Sequence, residues 1–417
     1  MPSGFGQPDM SQIEPPMPYR DPQPVPHALR AFVALAGQGK WRARLKHLGQ
    51  IAPSGTLAAR AAQQRHALEL ILARLDDPAV LARAGRPERR ILAMAHEAAE
   101  LARLLDPGPR ERLRKLIDQG LEGQGTLVPL FHLIRTAAIL RSRGFAVRHD
   151  GILDGTSYDL LAQRDHCVAE VACETISAEE GRPLHKGDWV QLVDRVNPEL
   201  QTWLAAHPGR YILKMTLPDV AGESGRIAGL HARISAMLSA QKRQDSSADA
   251  VLKLDPLVLA GAQAASDPGR ALPARLREVF GVEAHLAVTA DPQSGSVLVM
   301  AARAGRENEV AQAMKRRLAQ VAPARLTGRH PGILAIFLED LEAAEWRSLR
   351  STLELEGVTR RFLTEPEARH VVAVTCATRQ ELFGLPDAAP EGELRFRNPA
   401  HPSARSQGLE PAIASCV

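Results

Sequence analysis

The segment from Leu127 to Pro218 constrains this chain most, because its hydrophobic period switches between helical and strand-like within one stretch. From Leu127 to Arg143 apolar residues recur at spacings of three and four, and the run closes on Gly144, a residue suited to a left-handed stop. The spacing predicts a helix. Three short apolar runs follow, at Phe145–Arg148, Ser157–Ala162 and Cys167–Ile176, with the turn-prone residues 163–166 between the last two. These predict three strands, the last two forming a hairpin. A polar loop from Ser177 to Lys186 leads to Asp188 and Gln191, spaced like a capping box for a helix through Arg195. Asn197 and Pro198 fit the cap and first position of a further short helix, and Tyr211 to Leu217 reads as a buried strand.

The flanking regions give the rest of the expected layout. Residues 1–26 are rich in Pro and polar residues and are expected to be disordered. Residues 27–126 read as a helical bundle with Pro- and Gly-containing breaks. Residues 127–260 form the expected core, residues 270–385 a small C-terminal α+β domain, and residues 386–417 a flexible tail. The fold class is therefore a multidomain combination of α/β and α+β. Within the helical region, Trp41, Arg42, Arg44, Lys46 and His47 form a basic stretch that could meet phosphates but reads more simply as a solvated helix face. Gly120 to Thr126 lacks both a preceding strand and a Lys-Ser/Thr ending, so it is not a nucleotide loop. Glu339, Asp340 and Glu342 cluster at a strand end and read as the acidic start of a helix.

Helix, three strands, helix and strand is an order that resembles the PD-(D/E)XK nuclease-like core, the restriction-endonuclease-like αβββαβ fold. The resemblance implies an Asp on the second strand and an acid on the third, together binding one or two Mg²⁺. It also implies a Lys two residues beyond the second acid that orients the attacking water. Hard divalent ions favour carboxylate oxygens, and the metal activates water while neutralising charge that grows on the phosphate. Asp159 matches the first acid. On the third strand Glu170, Ala172 and Glu174 share one face, and neither register supplies the lysine. If Glu170 is the acid, Ala172 occupies the Lys position; if Ala172 occupies the acid position, Glu174 does. Asp159 and Glu170 are taken as the catalytic and metal-binding pair, with Glu174 as a spectator or outer ligand. Lys186, beside Arg182 and His185 in the loop after the third strand, is the candidate replacement lysine. His132 stands on the first helix, where the family often carries a Glu, and reads either as a substitute ligand or base or as a packed core histidine.

Composition narrows the function classes without choosing one. The chain is 45% hydrophobic and 24% charged, which suits an ordinary globular protein. No apolar run reaches the ~20 residues that a membrane span needs, and the N-terminus carries no signal-peptide core, so a cytoplasmic protein without membrane contact is expected. The four cysteines show no zinc-like spacing. A net charge of +4 agrees with a phosphate-bearing partner, but 48 acids against 52 bases make a mixed surface. The expected function is a nuclease-like protein acting on DNA or RNA, with Mg²⁺-dependent phosphodiester hydrolysis. The alternative is a catalytically inactive nuclease-fold scaffold that docks protein partners through its helical and C-terminal domains. A third reading is an unrelated α/β protein with incidental acids.

Overall fold

The computed structural model describes residues 27–52, 55–217, 224–248, 250–257, 275–291, 293–305 and 307–416. The disorder expected for residues 1–26 lies outside the described residues. The described strands are β1 (Ala146–Arg148), β2 (Leu160–Arg164), β3 (Cys167–Ser177), β4 (Arg210–Leu217), β5 (Gln244–Ser246), β6 (Val251–Pro256), β7 (His285–Asp291), β8 (Ser296–Ala304), β9 (Gly332–Glu339), β10 (Val371–Thr378) and β11 (Leu394–Arg397). They build two sheets, one in the order β1-β2-β3-β9-β10-β11 and one in the order β5-β6-β4-β8-β7.

In the first sheet β1, β2 and β3 form an antiparallel meander, β3, β9 and β10 run parallel, and β11 closes the far edge antiparallel to β10. The β2–β3 turn places Asp165 and His166 at φ 47° and 63°, the two successive positive angles of a tight hairpin that follows the twist of its strands. The helix Val128–Ser142 lies on one face of this sheet. It is apolar nearly all round, as a helix buried on several sides must be, with Phe131, Ile134 and Ala137 essentially inaccessible. The opposite face carries the helices Val310–Arg325 and Glu354–Phe362, whose Met314, Leu318 and Phe362 cover Ala172, Leu334 and Ile336.

The second sheet interrupts the first in sequence. Helix Lys186–Ala206 and β4, expected to complete the core after β3, belong instead to this second sheet, and the elements that complete the first are Val310–Arg325 and β9. The sequence pattern could not separate these choices. Both helices are amphipathic and both strands are apolar, so local periodicity fits either pairing. For the same reason the boundary expected near residues 260–270 does not divide the sheets: β7 and β8 join β4, whereas β9 and β10 join β3. The ends of the intervening stretch meet where the Glu309 amide donates to the Gly181 carbonyl at 2.7 Å. A side chain at Gly181 would strike the backbone of Glu309 and Val310, so glycine permits this approach.

Three further expectations are corrected. Lys186–Ala206 is one helix that runs through Pro198, not two short ones, and its N-cap is His185. The segment from 386 onward is not a flexible tail: β11 lies in the first sheet, Cys416 bridges to Arg395, and Leu409, Ala412 and Ile413 are buried in the main core. The residues 27–126 are helical as expected but share that core, since Phe32, Leu72 and Ile91 form one apolar cluster with Phe131, Val171 and Phe337. The second sheet also grips this helical region. Asp194 on Lys186–Ala206 accepts from the Leu57 and Ala58 amides, both at 2.8 Å, satisfying the free N–H groups at the start of helix Leu57–Arg65.

Among the described residues no helix is long and apolar enough to cross a membrane.

Candidate functional site

The acids singled out do converge, although Asp159 stands just before β2 and not on the strand where it was expected. Leu161 pairs with Glu170 across the β2–β3 ladder, so Asp159, two residues before Leu161, shares a sheet face with Glu170, Ala172 and Glu174. That face is covered by the last turns of helix Val310–Arg325 and the residues after it. Arg325 pairs with Asp159 at 2.6 Å and with Glu174 at 3.2 Å, and Arg317 holds Glu174 at 2.7 Å. Asp159 also accepts from the Cys173 amide at 2.7 Å. Glu170 is buried, with one oxygen taking the Thr327 amide at 2.8 Å and the other the Thr327 hydroxyl.

These contacts explain how the acids tolerate burial. Desolvation pushes the Asp159 carboxyl above its ordinary value, while Arg325 and the Cys173 amide pull it back. Burial, helped by the Asp159 charge, holds the Cys173 thiol well above its ordinary range, which makes it a poor nucleophile. Sequence reasoning missed Arg317, Arg325 and Thr327 because Glu170 and Thr327 stand 157 residues apart. The basic residues Lys315, Arg316, Arg317 and Arg325 are the sequence signal of a charged face on that helix.

A divalent cation does not fit this donor set. Both oxygens of Glu170 and of Glu174 are engaged, one oxygen of Asp159 accepts two hydrogen bonds, and two guanidinium groups stand where a doubly charged ion would have to sit.

Lys186 does not reach this cluster. Glu170 pairs with Gly332 at the start of β9 and Ser177 pairs with Glu339 at its end, so at about 3.3 Å per residue Glu170 and Ser177 lie roughly 23 Å apart along β3. Lys186 belongs to the Ser177 end, where its ammonium meets Glu342 at 3.3 Å and its amide donates to Glu179 at 2.8 Å. Arg182 is buried between Glu179 and Glu345, and His185 lines the cleft described below. His132 is a core residue. Its Nε2 lies 2.9 Å from the Ala335 carbonyl, its ring packs on Phe337, and burial lowers its pKa to about 4, so it stays neutral. The expected constellation therefore splits, with Asp159, Glu170 and Glu174 held by Thr327, Arg317 and Arg325 on one face of β3, Lys186, Arg182 and His185 past its carboxyl end, and His132 beneath the sheet.

The end of the sheet that holds Lys186 opens into a cleft of about 830 Å³. It lies at the carboxyl ends of the parallel strands β3, β9 and β10, where open α/β sheets commonly receive ligands. Helix Leu57–Arg65 and the start of Lys186–Ala206 form its other walls. Ser177 and Glu339 pair at the ends of β3 and β9, and Arg379 opens the helix that follows β10. The Ser177 hydroxyl donates to Asp340 at 2.6 Å, and Asp340 itself adopts a left-handed φ of 60°. Glu342 is the N-cap of helix Ala343–Ser351, where burial opposes its ionisation but Lys186 and Arg277 outweigh that and lower its pKa. Glu339 differs. Burial, reinforced by the neighbouring Asp340 charge, raises its carboxyl to about 7, and its hydrogen-bond donor is the Thr126 hydroxyl at 3.1 Å.

Thr126 is placed by the glycine-rich segment that precedes it. Buried Arg44, paired with Glu69 at 3.2 Å, donates to the Gly123 carbonyl at 2.8 Å and the Gly125 carbonyl at 2.5 Å. Any side chain at Gly125 would collide with the Gln119 carbonyl. Trp41 and Arg44 are thus structural and buried, which corrects the expectation of a solvated basic face at those two positions.

Comparison with protein-family models, curated proteins and solved structures found no match to this chain.

Proposed function

We propose that this chain is a nuclease-fold protein that does not hydrolyse nucleic acid and works as an interaction scaffold. The element order helix, three strands, helix and strand, now formed by Val128–Ser142, β1–β3, Val310–Arg325 and β9, supports the PD-(D/E)XK-like part of this reading. The observation that carries the inactive part is the closure of Asp159, Glu170 and Glu174 by Arg317, Arg325 and Thr327. A metal-dependent phosphodiesterase needs free carboxylate lone pairs, a metal and a nearby base. Here arginines neutralise two of the acids, and Lys186 serves Glu342 at the far end of β3. Part-buried acids matched by arginines also occur as structural ion-pair networks, without any reacting atom.

The test is calorimetry with Mg²⁺ and Mn²⁺ on the wild type and on the double variant Asp159→Ala, Glu170→Ala, beside cleavage assays on plasmid and single-stranded DNA. No binding that depends on the two acids, and no cutting, are expected. Metal binding lost in the double variant, together with metal-dependent cleavage, would restore the hydrolytic reading.

A further inference from the structure

The second sheet leaves one long edge open. Its edge strand β7 pairs only with β8, and the direction of its backbone groups follows from the ladder beyond. The Val297 amide donates to the Gly209 carbonyl at 2.9 Å, so Val297, Val299 and Ala301 turn their backbone groups toward β4, while Ser296, Leu298, Met300 and Ala302 turn theirs toward β7. The partners of that second set are Asp291, Thr289, Ala287 and His285. Leu286, Val288 and Ala290 therefore direct their N–H and C=O groups away from the sheet, and among the described residues nothing bonds to them.

The other edges are blunted. The strands β1 and β5 are three residues long, and β11 is bridged on its outer side by Cys416. By contrast β7 runs seven residues in unbroken register, with no Pro, Lys or bulge to discourage pairing. Its side chains share this openness. On the face that carries Leu286, Val288 is 42% exposed and Ala290 is exposed. Leu286 packs with Leu276 and Phe280 of helix 275–280, and Val279 on that helix is 61% exposed. Unpaired backbone and exposed apolar surface thus coincide.

We propose that β7 pairs antiparallel with β7 of a second copy of this chain about a twofold axis at Val288, joining two five-stranded sheets into one. In that register Leu286 faces Ala290 of the second copy, Val288 faces its own counterpart, and each pair exchanges both backbone hydrogen bonds. Charge favours it as well. Asp291 comes opposite His285, whereas an axis at Asp291 would oppose two carboxylates. The side chains of Leu286, Val288 and Ala290 from both copies then form one apolar strip. The contact is isologous and each chain offers one such edge, so assembly closes at a dimer. The proposal is independent of the nuclease question, since β7 belongs to the second sheet and the acids Glu170 and Glu174 to the first.

Sedimentation velocity on the full chain over about a hundredfold range of concentration tests this, with Val288→Lys, Val288→Pro and, as control, Leu104→Lys, each checked for native circular dichroism. The wild type is expected to pass from monomer to dimer and no further. Val288→Lys sets two ammonium groups opposite one another, and Val288→Pro removes an amide that the β7–β8 ladder does not use, so each should weaken association about tenfold or more. Leu104→Lys, at an exposed helix end, should associate as the wild type does. Should neither Val288 variant fold, hydrogen exchange on the wild type gives the answer, since the amides of Leu286, Val288 and Ala290 should exchange more slowly as concentration rises. A wild type that stays monomeric, assembly past the dimer, unchanged association in a folded Val288 variant, lost association in Leu104→Lys, or exchange at those amides that ignores concentration would each overturn the proposal.

Discussion

Replacing Glu339 with Gln should make the protein more stable at alkaline pH and leave it little changed in acid. The Glu339 carboxyl is raised from 4.5 to about 7, first by burial and then by Asp340. The folded protein therefore holds a proton that the unfolded chain releases, and the contribution of this one group is fully present below pH 4.5. That contribution is lost as the pH rises through 7, where the largely buried group must ionise. At 1.36 kcal/mol per unit, this displacement corresponds to about 3 kcal/mol, and partial solvent access reduces the expected effect to about 2 kcal/mol. The amide of Gln keeps the shape and can still accept from the Thr126 hydroxyl, but it never ionises. Urea unfolding of both proteins at pH 5 and pH 8, followed by tryptophan fluorescence, measures the difference. The stability gap in favour of Glu339→Gln should widen by about 2 kcal/mol between the two pH values. A gap of the same size at both, or one that narrows toward pH 8, would refute the electrostatic account of this carboxyl.

Two other perturbations probe the remaining features. Arg325→Ala leaves the partly buried Asp159 without its counter-charge and Glu174 with Arg317 alone, so urea unfolding at pH 7 should show a loss of about 2 kcal/mol, recovering in part near pH 4 as the acids protonate. Ile413→Ala deletes a fully buried side chain from the C-terminal segment and should cost about 2–4 kcal/mol; an effect below about 0.5 kcal/mol would mean that this segment does not dock on the core.

Local elements were legible in the sequence, and their partnerships were not. The helix Val128–Ser142 and the hairpin β2–β3 stand where periodicity put them, because each is dictated by residues within a few positions of one another. Which sheet each strand joins depends on contacts between distant segments, and an apolar strand such as β4 carries no mark of its partner. The acids on β3 and just before β2 shared a face by alternation, yet the charge partners of Asp159 and Glu174 lie on Val310–Arg325, far along the chain. Glu339 shows a different failure. The acidic cluster 339–342 suggested a helix start, and that explanation holds for Glu342, which caps Ala343–Ser351. It does not hold for Glu339, whose surroundings come from Thr126 and from the ends of neighbouring strands.

The meeting of Gly181 and Glu309 sets an order of assembly. The β3–β9 ladder cannot form until two stretches separated by the whole second sheet come together, and closing an unstructured loop of that length costs roughly 4 kcal/mol in chain entropy. If the second sheet folds first, its own ends already lie at hydrogen-bond distance, and β9 is delivered beside β3 as though the two were joined by a short turn. The stretch between Gly181 and Glu309 then acts as a folding clasp, whose slow maturation would delay the six-stranded sheet while leaving the meander β1–β3, made of near neighbours, free to form early.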